Sequence, residues 1–222
     1  MISHFKKWKI STLVFLLLIL SLPANAEFSA GKLAYERGDF MTAHREWESA
    51  AHENNYAAQA ALGSLYIHGE GVKIDYKIAL MWTKSAAENA DVTGQFNLGS
   101  MYASGLGVKK NYTLAAHWFR LAGDQYDAIS RYNLALLYSK GLGIERNDEE
   151  AVYLLNTCAI IAGSPEIGLS HLASKAEHLA LNITMTMDKR SVEKAFSRSK
   201  EFEREYIGYY LKGRSKSKND LN

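Results

Sequence analysis

The chain has 222 residues, 26 basic against 24 acidic, for a net charge of +2. That balance excludes the strongly basic character of a nucleic-acid binder, so no nucleic-acid partner is expected. A single cysteine excludes an intramolecular disulfide framework, and two prolines in the whole chain suit long helical stretches.

Read from its start, the chain opens on a positive segment, Lys6, Lys7 and Lys9. An apolar run from Ile10 to Leu22 follows, interrupted only by Ser11, Thr12 and Ser21. It is shorter than the roughly 20 residues a spanning helix needs. Ala24-Asn25-Ala26 then offers the small residues a signal peptidase accepts, so cleavage is expected after Ala26. No cysteine sits beside that cut to accept a lipid. Residues 1–26 therefore read as a signal peptide, and the protein as periplasmic or secreted and not membrane-embedded after cleavage. Cleavage removes three lysines and leaves 23 basic against 24 acidic residues, a net −1.

Residues 27–55 read as a first, tight helix pair. Gly31 and Leu33 lie on its leading helix; Gly38-Asp39-Phe40 turns into a second that carries Ala43, Trp47 and Ala50. From residue 56 to 163 the chain matches itself at a shift of 36. Gly69-Glu-Gly-Val, Gly105-Leu-Gly-Val and Gly141-Leu-Gly-Ile recur, as do Tyr66, Tyr102 and Tyr138, and Leu62, Leu98 and Leu134. Ala79, Ala115 and Ala151 follow, then Trp82, Trp118 and Leu154, then Ala86, Ala122 and Cys158. A period of this length means stacked units that bury their faces against neighbours. Each unit predicts two helices. The first ends at a glycine able to take the left-handed conformation; the second is capped by Asp75, Asn111 or Asn147.

The period is lost after Gly163. Ser164-Pro165 predicts a helix start, with Leu169, Leu172, Ala173, Ala176 and Leu179 as its apolar stripe. A last helix from about Asp188 presents Val192, Ala195, Phe196, Phe202 and Tyr206 among charges, the two-sided character of a cap. Residues 164–211 are thus capping helices, and residues 212–222, with Lys212, Arg214, Lys216 and Lys218, a solvated, disordered basic tail.

Leu98-Gly99, Tyr102, Gly105-Leu-Gly107-Val108, Asn111, Ala115, Trp118 and Ala122 together resemble the Sel-one-like repeat family, the 36-residue branch of the tetratricopeptide solenoids. The resemblance covers about Phe28 to Gly163, with the first pair closer to an ordinary tetratricopeptide repeat. The third unit departs at Ala135, Leu154 and Cys158, all small or apolar. The resemblance implies an all-α fold, a right-handed α/α superhelical solenoid of helix pairs closed by capping helices, its first helices lining a concave groove. It also implies an adaptor that assembles other proteins, many bacterial members being exported. A cysteine-rich branch associated with penicillin-like compounds has paired cysteines within each repeat, which this chain lacks.

The search for catalytic chemistry is negative. Ser191-Val-Glu-Lys194, Ser197-Arg-Ser-Lys200 and Ser215-Lys-Ser-Lys218 fit the Ser-x-x-Lys pattern, but the supporting Ser-Asp-Asn and Lys-Thr-Gly motifs are absent. His171 and His178 stand seven apart on one predicted helix, about 10 Å along its axis, too far to share a metal. Cys158, Trp82 and Trp118 read as core. The expectation is a non-catalytic, monomeric scaffold with no cofactor and no metal, binding an unidentified protein or peptide. The alternative is an envelope factor or enzyme acting on peptidoglycan or beta-lactams.

The candidate binding residues come from comparing the units with one another. Along the first helices the scaffold positions repeat while others vary. Ala60, Phe96 and Tyr132 are equivalent, as are Ser64, Ser100 and Leu136, and His68, Ser104 and Lys140. In the tetratricopeptide arrangement this face points into the groove. Phe96 and Tyr132 would be its aromatic anchors, or else pack between adjacent repeats. Asn97 and Asn133 would hydrogen-bond an extended backbone. Ser64, Ser100, His68 and Lys140 complete the set.

Overall fold

The computed structural model describes residues 24–219, with side chains over 27–208. Residues 1–23 of the expected signal peptide lie outside the described residues. Those described form ten helices and no strand: α1 (Ala24–Glu36), α2 (Phe40–His52), α3 (Tyr56–His68), α4 (Tyr76–Glu88), α5 (Val92–Ser104), α6 (Tyr112–Asp124), α7 (Ala128–Lys140), α8 (Asp148–Ala162), α9 (Ser170–Thr184) and α10 (Lys189–Asn219). They fall into two compact units divided within α5, one running to Asn97 and one beginning at Leu98.

In the first unit α1 packs on α2, α2 on α3 and α3 on α4, each helix meeting its neighbour in the chain. The core is built from small residues, Ala43, Ala50 and Ala58, around Leu62, Leu65 and Trp47. Val72 packs against it from the α3–α4 loop. Alanine and glycine are what permit this close helix approach. A Cβ on Gly63 would strike the Thr83 side chain, and one on Gly31 the indole of Trp47. The second unit repeats the plan: α7 packs on α6 and α8, and α9 and α10 both lie against α8. There a Cβ on Gly99 would meet the Phe119 ring at 2.8 Å.

The helix ends follow the predicted signals. α3 and α7 stop at Gly69 and Gly141, both left-handed, with φ +73° and +63°. The Asp75, Asn111 and Asn147 side chains each accept a backbone N–H from the first turn of the following helix. Their own backbone N–H groups donate to the carbonyls of Tyr66, Tyr102 and Tyr138, so every loop is tied back onto the helix before it.

Three features differ from expectation. Ser164-Pro165 does not begin a helix. Residues 163–169 turn through Gly168, at φ +68°, and α9 starts only at Ser170, after Leu169, which makes no side-chain cap bond. Trp82 and Trp118 are half-buried; the residue after each, Thr83 and Phe119, is the one buried against the small residue of the first helix. The backbone of α10 continues as helix to Asn219, through most of the segment expected to be a disordered tail. Nothing from Lys189 onward forces it to end, since no proline follows and the glycines stand singly.

Candidate functional site

The repeats are held in register by a set of polar groups that the sequence reading missed. At one position of the first helix stand Gln59, Gln95 and Arg131, all buried. Each reaches back to the last turn of the preceding helix: Gln59 Nε2 to the Ala51 carbonyl, Gln95 Nε2 to that of Ala87, Arg131 Nε to that of Gly123. Each carbonyl also accepts the backbone N–H of the turn residue three places on, Asn54, Ala90 or Tyr126, so the side chain takes its second acceptor site. The turn before it recurs too. Asn54, Ala90 and Tyr126 all have positive φ, and Asn55, Asp91 and Asp127 cap the next helix. Burial pushes the Asp91 carboxyl above its usual range. The signal in the sequence was present, as polar residues at period 36, but amide and guanidinium in one column do not look like a repeat.

The eight candidate binding residues divide between the units. In the first, His68 is exposed at the end of α3 and Phe96 is half-buried on α5. Ser64 and Asn97 meet directly: Asn97 Nδ2 donates to Ser64 Oγ at 2.8 Å, and Asn97 is only 7% exposed. In the second unit Tyr132 is buried, its ring covered by the Lys175 ammonium 5.1 Å from the centroid.

Ser100, Asn133 and Lys140 come together. They line one cleft of about 240 Å³, whose apolar side is Phe119, Leu137 and Leu142. Ser100 and Asn133 stand one repeat after Ser64 and Asn97, yet neither has a hydrogen-bond partner among the described residues. Lys140 is exposed at the last turn of α7, and no acidic side chain lines the cleft. A second hollow, of about 380 Å³, lies between α8, α9 and α10. Phe196 and Ile160 line it together with Glu177, Glu203 and Lys200, charges of both signs.

The candidate catalytic groups do not converge. Ser191 Oγ donates to Asp188 and Lys194 pairs with Glu149; Ser197 Oγ donates to the Glu193 carbonyl. The side chains of Ser215 and Lys218 lie outside those described. His171 and His178 are both exposed, and no cluster of metal-ligating side chains occurs among the described residues. Burial pushes the Cys158 thiol up to about 12. A thiol held protonated is no nucleophile. No described helix is long and apolar enough to cross a membrane.

Helix pairs of 36 residues, tied end to end by glycine loops and a recurring buried polar contact, define a class: α-helical repeat arrays of the tetratricopeptide kind. The Sel1 repeat pattern matches residues 57–91, 92–127 and 128–157, so the chain carries three Sel1 repeats. Among solved structures it is similar to c5321, a protective antigen of uropathogenic Escherichia coli strains displaying an SLR fold. Identity there is 31% and the TM-score 0.61, over 86% of this chain and 41% of that one. It is also similar to a Sel1 repeat protein from Oxalobacter formigenes, at 27% identity and TM-score 0.58, over 75% of this chain and 72% of that one. The chain thus spans less than half the length of the first of these. A search of curated proteins finds no match.

Proposed function

We propose that this protein is an exported, non-catalytic scaffold that holds a segment of another protein along the first helices of its repeats. The observation that carries the reading is the cleft of the second unit, where Ser100, Asn133 and Lys140 converge with side chains that have no partner of their own. One repeat earlier the equivalent Ser64 and Asn97 bond to each other, so they offer a partner less than Ser100 and Asn133 do. Export rests on the charged and apolar leader ending at Ala24-Asn25-Ala26, and a protective antigen with a related fold fits it. Of the remaining candidates, Phe96 and His68 would serve as contacts within the first unit, while Tyr132 is buried and packs within the second.

A photoreactive residue placed at Ser100 or Ser104 tests it in the native cell envelope. Discrete protein adducts are expected from these positions and none from Leu114, on the exposed side of α6. Adducts of equal yield from Leu114 would argue against a groove on the first helices.

A further inference from the structure

The two consecutive repeat boundaries use the same pair of residues differently. At the first, the Asn97 amide donates to the Ser64 hydroxyl, which donates in turn to the Ala60 carbonyl. At the next, Ser100 and Asn133 stay unbonded, and the space between α5 and α7 opens into the cleft. The difference coincides with Phe119 standing where the earlier repeat has the much smaller Thr83.

From this contrast we infer that the cleft receives an extended, acidic peptide segment, with an apolar side chain seated on Phe119 and Leu137 and a carboxylate beyond it held by Lys140. The inference rests on the scaffold reading above and names the chemistry of its partner.

Three features specify that occupant. The Asn133 amide offers a donor and an acceptor side by side, the complement of the N–H and C=O that one residue of an extended chain presents on the same edge, and Ser100 supplies a further donor or acceptor. Phe119, Leu137 and Leu142 give the cleft an apolar floor, which selects a peptide side chain over a sugar or a phosphate. Lys140 is a cation with no carboxylate partner among the described residues, at the edge of a cleft with no acidic lining. Charge complementarity then calls for an Asp or Glu side chain. Lys140 also faces the carbonyl pole of α7, and helix-dipole compensation alone would place a cation there. That reading predicts a stability effect of Lys140→Glu and no effect on peptide preference.

The probe is a set of fluorescein-labelled octapeptide pools with Leu fixed at one position and Asp, Asn or Lys fixed two positions later, titrated by anisotropy against the purified chain. The Asp pool is expected to bind about tenfold more tightly than the Lys pool, a difference of about 1.4 kcal/mol. Lys140→Glu should reverse that order, and Asn133→Ala should weaken all pools. Leu114→Ala, on the exposed side of α6, should leave peptide binding unchanged. Equal binding of the Asp and Lys pools, or an Asp preference that survives Lys140→Glu, overturns the acidic-segment inference while the scaffold reading stands. Binding that survives Asn133→Ala with an unchanged melting curve overturns the cleft as the site. Failure of every pool to bind, alongside productive crosslinking from Ser100, also overturns the inference, because the partner then uses other chemistry.

Discussion

Arg131 is held from three sides within the second unit. It is 6% exposed, donates to the Gly123 carbonyl at 2.8 Å and to Thr157 Oγ1 at 2.9 Å, and lies 4.4 Å from the centroid of Phe202. Where the earlier repeats pair Gln59 with Ala51 and Gln95 with Ala87, here the longer side chain meets Gly123. A Cβ on Gly123 would come 3.1 Å from Arg131 Cγ. Arg131→Gln is therefore expected to cost about 1–3 kcal/mol, having lost the Thr157 bond and the contact with Phe202. Adding Gly123→Ala should recover about 1 kcal/mol of that through helix propensity, whereas Gly123→Ala alone should not stabilise. Urea denaturation of the four chains measures the coupling; strict additivity would mean the two positions do not share space. Cys158 supplies a second residue-scale expectation. With its thiol near 12, the thiolate fraction at pH 8 is about 10⁻⁴, so the native chain should resist iodoacetamide and react only on unfolding. Stoichiometric labelling without loss of helicity would show the thiol to be accessible.

The second helix α6 divides an adjacent aromatic pair between two environments. On α6, Phe119 is 3% exposed against Gly99, while its neighbour Trp118 is half-buried. Phe119→Ala should cost about 3–5 kcal/mol, and Trp118→Ala about half as much, since part of that ring stays in water. Thermal melts that rank the two the other way would place the tryptophan in the core. This distinction was not legible in the sequence. The tryptophan repeats visibly, whereas its neighbour is Thr83, Phe119 and Leu155 in turn, and size variation hides a column whose partner is always a small residue. Loops and caps were legible, because a left-handed glycine and an Asp or Asn cap act locally. The start of α9 was misread for the same reason: Ser164-Pro165 is a local signal that Gly168 overrides. Of the site, Ser100, Asn133 and Lys140 could be reached by comparing repeats. Their unbonded state and the contribution of Phe119 depend on packing between helices, which no single column records. The capping helix α10 is joined to α8 by pairs of Lys194 and Arg198 with Glu149 and Glu150, and to the α6–α7 turn by tilted ring contacts of Phe202 and Tyr206 with Tyr126. Lys194, 65% exposed in its side chain, contributes less than about 1 kcal/mol. Phe202→Ala should therefore loosen α10 far more than Lys194→Ala, read by hydrogen exchange along Lys189–Tyr206.

At the scale of the molecule, repeats that touch only their neighbours lose stability locally before they lose it globally. The exported form is expected to begin at Glu27, which an intact-mass measurement on material from the host envelope decides; a mass that retains Met1 to Ala26 would contradict it. The positions that end the array are the ones that break its pattern. Tyr126 stands where Asn54 and Ala90 stand, and Arg131 where Gln59 and Gln95 stand; both of these larger side chains reach Phe202 of α10. The chain thus carries its own stop sign, written into its last complete unit and read by the helix that closes it. Gene duplication could lengthen such a protein in whole steps of 36 residues anywhere upstream of that sign. A copy that included Tyr126 and Arg131 would instead bury a second cation with no Phe202 to meet it. Growth is therefore cheap in the middle of the array and costly at its end.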